Sequence, residues 1–286
     1  MRYQTIMVQL PIGQANTRLL QFTAELAAKF DAEVIGVCAC QPMQIVYGEG
    51  FFPGELITQN QKELLNELAV AEAEFRNALQ SRVRHISWRS NISFGSLAEY
   101  FAHQARSADI FVASVLAADA LDASRRVDIG DLIVQIGRPV LLLPALATTE
   151  NPVPDNASPL LNLERVLVCW SDSRESRRAI VDALPMLKNA GRVQVIEVAP
   201  ERDKLAAQTR LLEVIAWLAS HGINAEAQVH ASTDNDAKDL HSAANLFQPG
   251  LIVAGAYGHS RLREWVLGSV TRELLTQSRQ CTLLSH

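Results

Sequence analysis

Cysteine is scarce, with four in 286 residues, and the four do not form a disulfide framework. Cys38 and Cys40 alternate along one predicted strand, Cys169 and Cys281 fall in two others, and none has the CxxC spacing of a metal site. These positions read as buried free thiols in a reducing compartment. Positive charge is not in excess either: 26 Lys and Arg stand against 31 Asp and Glu, a net charge of -5. That balance argues against nucleic acid as a main partner. No apolar run is long enough to span a bilayer, so no membrane partner is expected. Met1-Arg2-Tyr3-Gln4 leads into a short apolar run without the anatomy of a signal peptide, and a cytoplasmic location is expected. Low-complexity tracts are missing, and 48% hydrophobic against 20% charged residues excludes broad disorder.

What is present is alternation. Apolar strands at residues 4–9, 33–40, 84–92, 109–114 and 140–143 are separated by helical patterns at 17–30, 55–81, 96–106 and 127–136. In the long helix, Leu56, Leu64, Leu65, Leu68 and Phe75 are expected to bury one face. Strands apolar on both faces between helices imply a parallel sheet covered on both sides. Residues 146–162, with Pro152 and Pro154 among small polar residues, break the pattern as a linker. The order then restarts: strands at 165–169, 192–198, 224–229, 251–255 and 282–285, and helices at 175–188, 204–220, 236–247 and 269–278. Pro185 is expected to kink or end the first of these. Asp109-Ile-Phe-Val-Ala-Ser114 matches Gly250-Leu-Ile-Val-Ala-Gly255, and Arg138-Pro-Val-Leu-Leu142 matches Gln280-Cys-Thr-Leu-Leu284. The chain therefore reads as an internal duplication: residues 1–145, a linker at 146–162, and residues 163–286.

One segment carries chemistry. Gly255-Ala256-Tyr257-Gly258 is followed after nine residues by Gly268-Ser269-Val270-Thr271. It starts where an apolar strand ends and finishes where a helix begins. In open α/β sheets ligands bind beyond the carboxyl ends of the strands, and a helix start offers free N–H groups to phosphate. Gly255, Gly258 and Gly268 would let a ligand approach the backbone, and Ser269 and Thr271 add hydroxyls. The plainer alternative is that these are ordinary turn glycines.

This G-x2-G-x9-G-S/T pattern resembles the ATP-binding signature of universal stress proteins. The strand–helix order of both halves, the strand Val166-Leu-Val-Cys-Trp170 and the terminal Thr282-Leu283-Leu284 fit the same family. The resemblance implies two tandem doubly wound α/β domains, each with a five-stranded parallel sheet of the adenine nucleotide alpha hydrolase type. It also implies an adenine nucleotide, such as ATP with or without Mg²⁺, held by Gly255, Gly258, Gly268, Ser269, Val270 and Thr271. Trp170 and Ser171 would take the place of the contact pair after the first strand, and Val198 would lie near the base. Where the family usually has Asp, this chain has Ser171, with Asp172 one place later. In the first half the matching positions are Ser114, Ala117, Val127 and Asp128. A carboxylate at that helix start suits the dipole but repels phosphate, so the first half is expected to be a scaffold without the site. The resemblance further implies that Val140–Leu143 and Thr282–Ser285 pair at the join of a pseudo-dimer within the chain.

Other features carry less. The glycines at 48, 50 and 54 have the wrong spacing for a dinucleotide loop, and no G-x4-G-K-S/T exists, so this is not a P-loop hydrolase. His230, His241 and His259 lack metal-ligand spacing, and no metal site is expected. His259 follows Gly258 as either a phosphate contact or a solvated loop residue. Trp88, Trp217 and Trp265 read as packing residues. No general base, paired carboxylates or placed lysine is assignable, so no catalytic residue is named. The expected role is a nucleotide-binding stress-response sensor or interaction module, with a homodimer or another protein as partner. The alternative is slow ATP hydrolysis or nucleotidyl transfer at the same site, with Ser171, Asp172 and His259 as the nearby chemistry.

Overall fold

The computed structural model describes residues 2–43, 54–115, 123–144, 161–233, 236–257 and 280–286. The first half runs β1 (Thr5–Gln9), α1 (Thr17–Phe30), β2 (Glu33–Cys40), α2 (Gly54–Leu79), β3 (Ile86–Ile92), α3 (Leu97–Gln104), β4 (Ile110–Ser114), α4 (Ile129–Ile136) and β5 (Val140–Leu143). The second runs β6 (Arg165–Trp170), α5 (Arg174–Asp182), α6 (Leu184–Leu187), β7 (Arg192–Ala199), α7 (Lys204–Ser220), β8 (Ala225–Ala231), α8 (Asp236–Phe247), β9 (Leu251–Gly255) and β10 (Cys281–Ser285). The linker segment at 145–160, the glycine loop at 44–53 and the helix expected at 269–278 lie outside the described residues.

All ten strands form one sheet, in the order β3-β2-β1-β4-β5-β10-β9-β6-β7-β8. Within each half the pairing is parallel. At the seam β5 and β10 pair antiparallel, with Leu142 opposite Thr282, Leu141 opposite Leu283 and Val140 opposite Leu284. The expected pairing of these two strands is therefore present. Five strands in one order followed by the reverse of that order, joined antiparallel, is what an approximate two-fold axis at the seam generates.

Alternation along the strands feeds two cores. Ile6, Val8, Val166, Val168, Val193 and Val195 point to the face covered by α1, α2, α5, α6 and α7. Met7, Phe111, Leu167, Ile196 and Ile252 point to the face of α3, α4 and α8. Both cores run through the seam strands, since Leu141 and Leu283 belong to the first and Leu142 and Leu284 to the second. Helix α1 buries Leu19, Leu20, Phe22, Leu26 and Phe30 and ends where Asp31 turns left-handed, its N–H returning to the Ala27 carbonyl. Gly137, also at positive φ, ends α4.

Three expectations need correction. The helix over 175–188 is two: α5 stops at Ala183 and Pro185 enters at the start of α6, where its missing N–H is tolerated. Along α2, Leu64, Leu68 and Phe75 are buried as expected, but Leu56 and Leu65 are more than half exposed. They lie off the stripe that meets the sheet. Strand β3 starts at Ile86 rather than at 84, and its burial is partial because it is an edge strand. All four cysteines are free and buried. Burial raises each thiol, Cys40 to about 11 and Cys169 and Cys281 to about 12. No helix among the described residues is long and apolar enough to cross a membrane.

Candidate functional site

Strand order reverses inside each half. In the second half the chain leaves β6 for β7 on one side and returns to β9 on the other. The carboxyl ends of β6 and β9 lie side by side, with Cys169 registered against Ala254, and the next residues are Trp170, Ser171 and Gly255. The structure thus brings these three candidates together at one end of the sheet. Gly258, Gly268, Ser269, Val270 and Thr271 lie outside the described residues.

Trp170 ends β6 opposite Glu197 and packs against the core under α5 and α7. Its indole Nε1 is buried with no partner among the described residues. Ser171 opens the loop into α5, and its hydroxyl meets Ser176 Oγ at 2.9 Å and Ser173 Oγ at 3.2 Å. Ser173 is the N-cap of α5, accepting from the Ser176 N–H. The hydroxyls at 171, 173 and 176 therefore satisfy one another and fix the helix start. Asp172, one place after the position where the family carries Asp, is exposed and holds Arg177 at 2.7 Å.

Gly255 works differently from its first reading. A Cβ there would stand 2.5 Å from Ser176 N and 2.6 Å from Glu175 C. The close approach that its missing side chain permits is that of the α5 backbone. Val198 lies in the adjacent strand, half-buried and opposite His230. Strand alternation turns its side chain to the α8 face, away from the face Trp170 packs on. Burial lowers the His230 pKa, opposed by the nearby Asp239 carboxylate.

Several groups at this end carry no motif signal. Glu197 is 6% exposed and accepts from Arg210 of α7. Arg210 in turn lies in the field of Asp172 and Asp203. A charged residue inside the apolar run Val193-Gln-Val-Ile-Glu-Val198 is the signal that marks it. Tyr257 adopts φ 63°, rare for a residue with a Cβ. Its hydroxyl is buried without a partner among the described residues. Burial, then the carboxylates of Asp128 and Asp131 in α4, push that hydroxyl above its ordinary pKa. The seam thus places α4 of the first half beside the loop leaving β9. His286 stands 6.1 Å from the Tyr257 ring and bonds the Ala256 carbonyl at 3.1 Å.

In the first half Asp128 caps α4, accepting from the Asp131 N–H at 3.0 Å, as the reading of a carboxylate suited to the helix dipole expects. Ser114 ends β4 opposite Leu143; Ala117 lies outside the described residues. Among the described residues no three His, Cys, Asp or Glu side chains group as a metal site.

No protein-family model matches the chain, and no curated protein does. Solved structures do. A universal stress protein from Archaeoglobus fulgidus superposes over 98% of this chain and 97% of its own, with a TM-score of 0.71 at 14% identity. A functionally unknown protein from Pseudomonas aeruginosa follows at 0.62 and 14%, over 99% of this chain and 92% of its own. A putative universal stress protein from the same species reaches 0.61 and 13%, over 99% and 93%. At these identities the likeness speaks for backbone architecture: the chain has, over its whole length, the α/β fold of universal stress protein structures.

Proposed function

We propose that the protein binds an adenine nucleotide in its second half, residues 163–286, and acts as a sensor or interaction module in a stress response. The reading rests on the reversal of strand order between β6 and β9, which leaves a crevice outside their carboxyl ends. Trp170 and Ser171 would border base and ribose there, and Val198 would reach the base by its backbone. Gly255 would set the α5 start against the crevice. The phosphates would fall to Gly258, Gly268, Ser269, Val270 and Thr271 through backbone N–H groups and hydroxyls. Mg²⁺, where present, would enter on the phosphates, since it keeps its waters and takes few protein oxygens. Residues 1–145 would be the partner unit of the pseudo-dimer, carrying Asp128 where a phosphate site would need a neutral donor. A protein partner, or a second copy of the chain, would read the occupied state.

Binding without a positioned base is why the reading stops at recognition. Ser171 is engaged by Ser173 and Ser176, and Asp172 by Arg177, which leaves neither free to activate water. Calorimetric titration of the whole chain with ATP, ADP and AMP tests this. One nucleotide should bind per chain. Ser269→Asp should weaken binding more than about tenfold, because a lost charge-assisted hydrogen bond alone is worth roughly 1.5–3 kcal/mol. The melting midpoint without ligand should hardly move. Two equivalent sites, or equal binding by the variant, would overturn the assignment, and Mg²⁺-dependent turnover abolished by Gly268→Asp would favour the enzymatic alternative.

A further inference from the structure

The first half holds a cleft that the nucleotide reading does not use. It measures about 570 Å³ and opens between α2 and the loop joining β1 to α1, a size typical of small-molecule sites. From α2 it is lined by Glu67, Val70, Ala71 and Glu74, the i, i+3, i+4, i+7 spacing of a single helix face. Glu67 and Glu74 are seven residues apart, about 10 Å along the axis, and the aliphatic Val70 and Ala71 lie between them. Ile12 and Asn16 face them from the loop. No Lys or Arg lines the cleft among the described residues.

The polar atoms here ask for donors. Asn16 is 3% exposed. Its amide nitrogen gives to the Pro11 carbonyl at 3.1 Å, the Gln14 carbonyl at 3.3 Å and Glu74 Oε2 at 3.1 Å. Three acceptors on the nitrogen's side turn Oδ1 the other way, and it has no partner. Glu67 pairs through Oε1 with Arg125 at 3.0 Å, while its Oε2 is buried and unpartnered. Its field also raises the pKa of Cys38 and Cys40, so Glu67 lies close over the strand end. Buried acceptors without donors are unfavourable. An ammonium group supplies three donors and a charge opposite to both carboxylates.

We propose that this cleft binds a linear aliphatic polyamine, one ammonium end at Glu67 and the other at Glu74, with the methylene chain against Val70 and Ala71. A phosphate-bearing ligand would meet two carboxylates and is excluded from it. The site is independent of the nucleotide crevice.

The test is calorimetric titration of the full chain with spermidine, which can reach both carboxylates, and with 1,3-diaminopropane, which cannot. Spermidine should show one saturable site, and 1,3-diaminopropane should bind at least about tenfold more weakly. Val70→Lys places a cation in the cleft without touching either carboxylate. Because Val70 is 60% exposed, the variant should melt as the parent does and lose at least about tenfold in spermidine affinity. Ser269→Asp should leave spermidine binding unchanged, which separates this test from that of the nucleotide site. No saturable binding, equal affinity for the short diamine, or undiminished binding by Val70→Lys would overturn the proposal, the first meaning that water holds the free acceptors.

Discussion

Gly255 illustrates how a single residue can satisfy two readings. Its place before a G-x9-G-S/T spacing marks it as a ligand-facing glycine. Its neighbours, 2.5 and 2.6 Å from where a Cβ would stand, are backbone atoms of Ser176 and Glu175, which cannot rotate out of the way. Gly255→Ala should therefore destabilise the fold by roughly 1–3 kcal/mol, as overpacking does, whether or not nucleotide is present. A chemical-denaturation midpoint measured without ligand checks this, and an unchanged midpoint would return the residue to a purely ligand-facing role. Spacing along the chain could show that a glycine was needed there. The reason was not legible, because the contact joins residues about eighty positions apart. The same limit applies to Asn16, whose backbone and side chain are held by Glu74, and to Arg210, which is held by Glu197.

Helix α5 concentrates opposed electrostatics at its two ends. Glu175 sits in the first turn, where burial would raise its pKa. Its own backbone N–H, then Arg174 and His286, outweigh that and hold the carboxyl below its ordinary value, in keeping with the positive end of the dipole. Asp182 closes the helix at the negative end, and burial raises its pKa against the lowering effects of Ser285, Arg178 and Arg138. The signs follow from linkage. The Glu175 contribution is present above the unfolded pKa and fades as pH falls through the folded value. Asp182 binds its proton more tightly when folded, so it weakens the fold as pH rises from the unfolded value, about 4, through the folded one. Urea midpoints between about pH 3 and 7 should show Glu175→Gln with a flatter acid limb. Asp182→Asn should gain on the parent toward neutral pH, because its main-chain bond to the Tyr3 hydroxyl, 2.6 Å, survives the substitution. A parent-like pH profile in both variants would refute the assignment. The helix itself was readable from its apolar spacing and Ser173, and its early stop from Pro185. The exposure of Leu56 and Leu65 was not, since an apolar residue off the packing stripe looks the same in sequence as one on it.

At the scale of the molecule the question is whether ten strands behave as one body. A chain built of two similar halves would be expected to unfold in two steps if the halves were merely tethered. Here β5 and β10 continue the sheet across the seam, and both cores draw residues from each side of it. Side chains also cross: the Arg178 guanidinium gives to the Gly137 carbonyl at 2.6 Å, and Tyr3 OH gives to Asp182 O. Leu283 is fully buried at the seam. Separating the halves would expose this strip of apolar side chains and two unpaired strand edges together, so each half is less stable alone than in the pair. Trp88, packed on Phe75 at 5.3 Å, reports the first half, and Trp217, packed on His221 at 4.5 Å, reports the second. With each as the sole tryptophan, urea unfolding should give coincident transitions with a single large m-value. Leu283→Asp buries an unpaired carboxylate at the seam and should pull the two curves apart. Separate transitions in the parent chain would mean that the seam contributes little, and that the two halves share a sheet without sharing their stability.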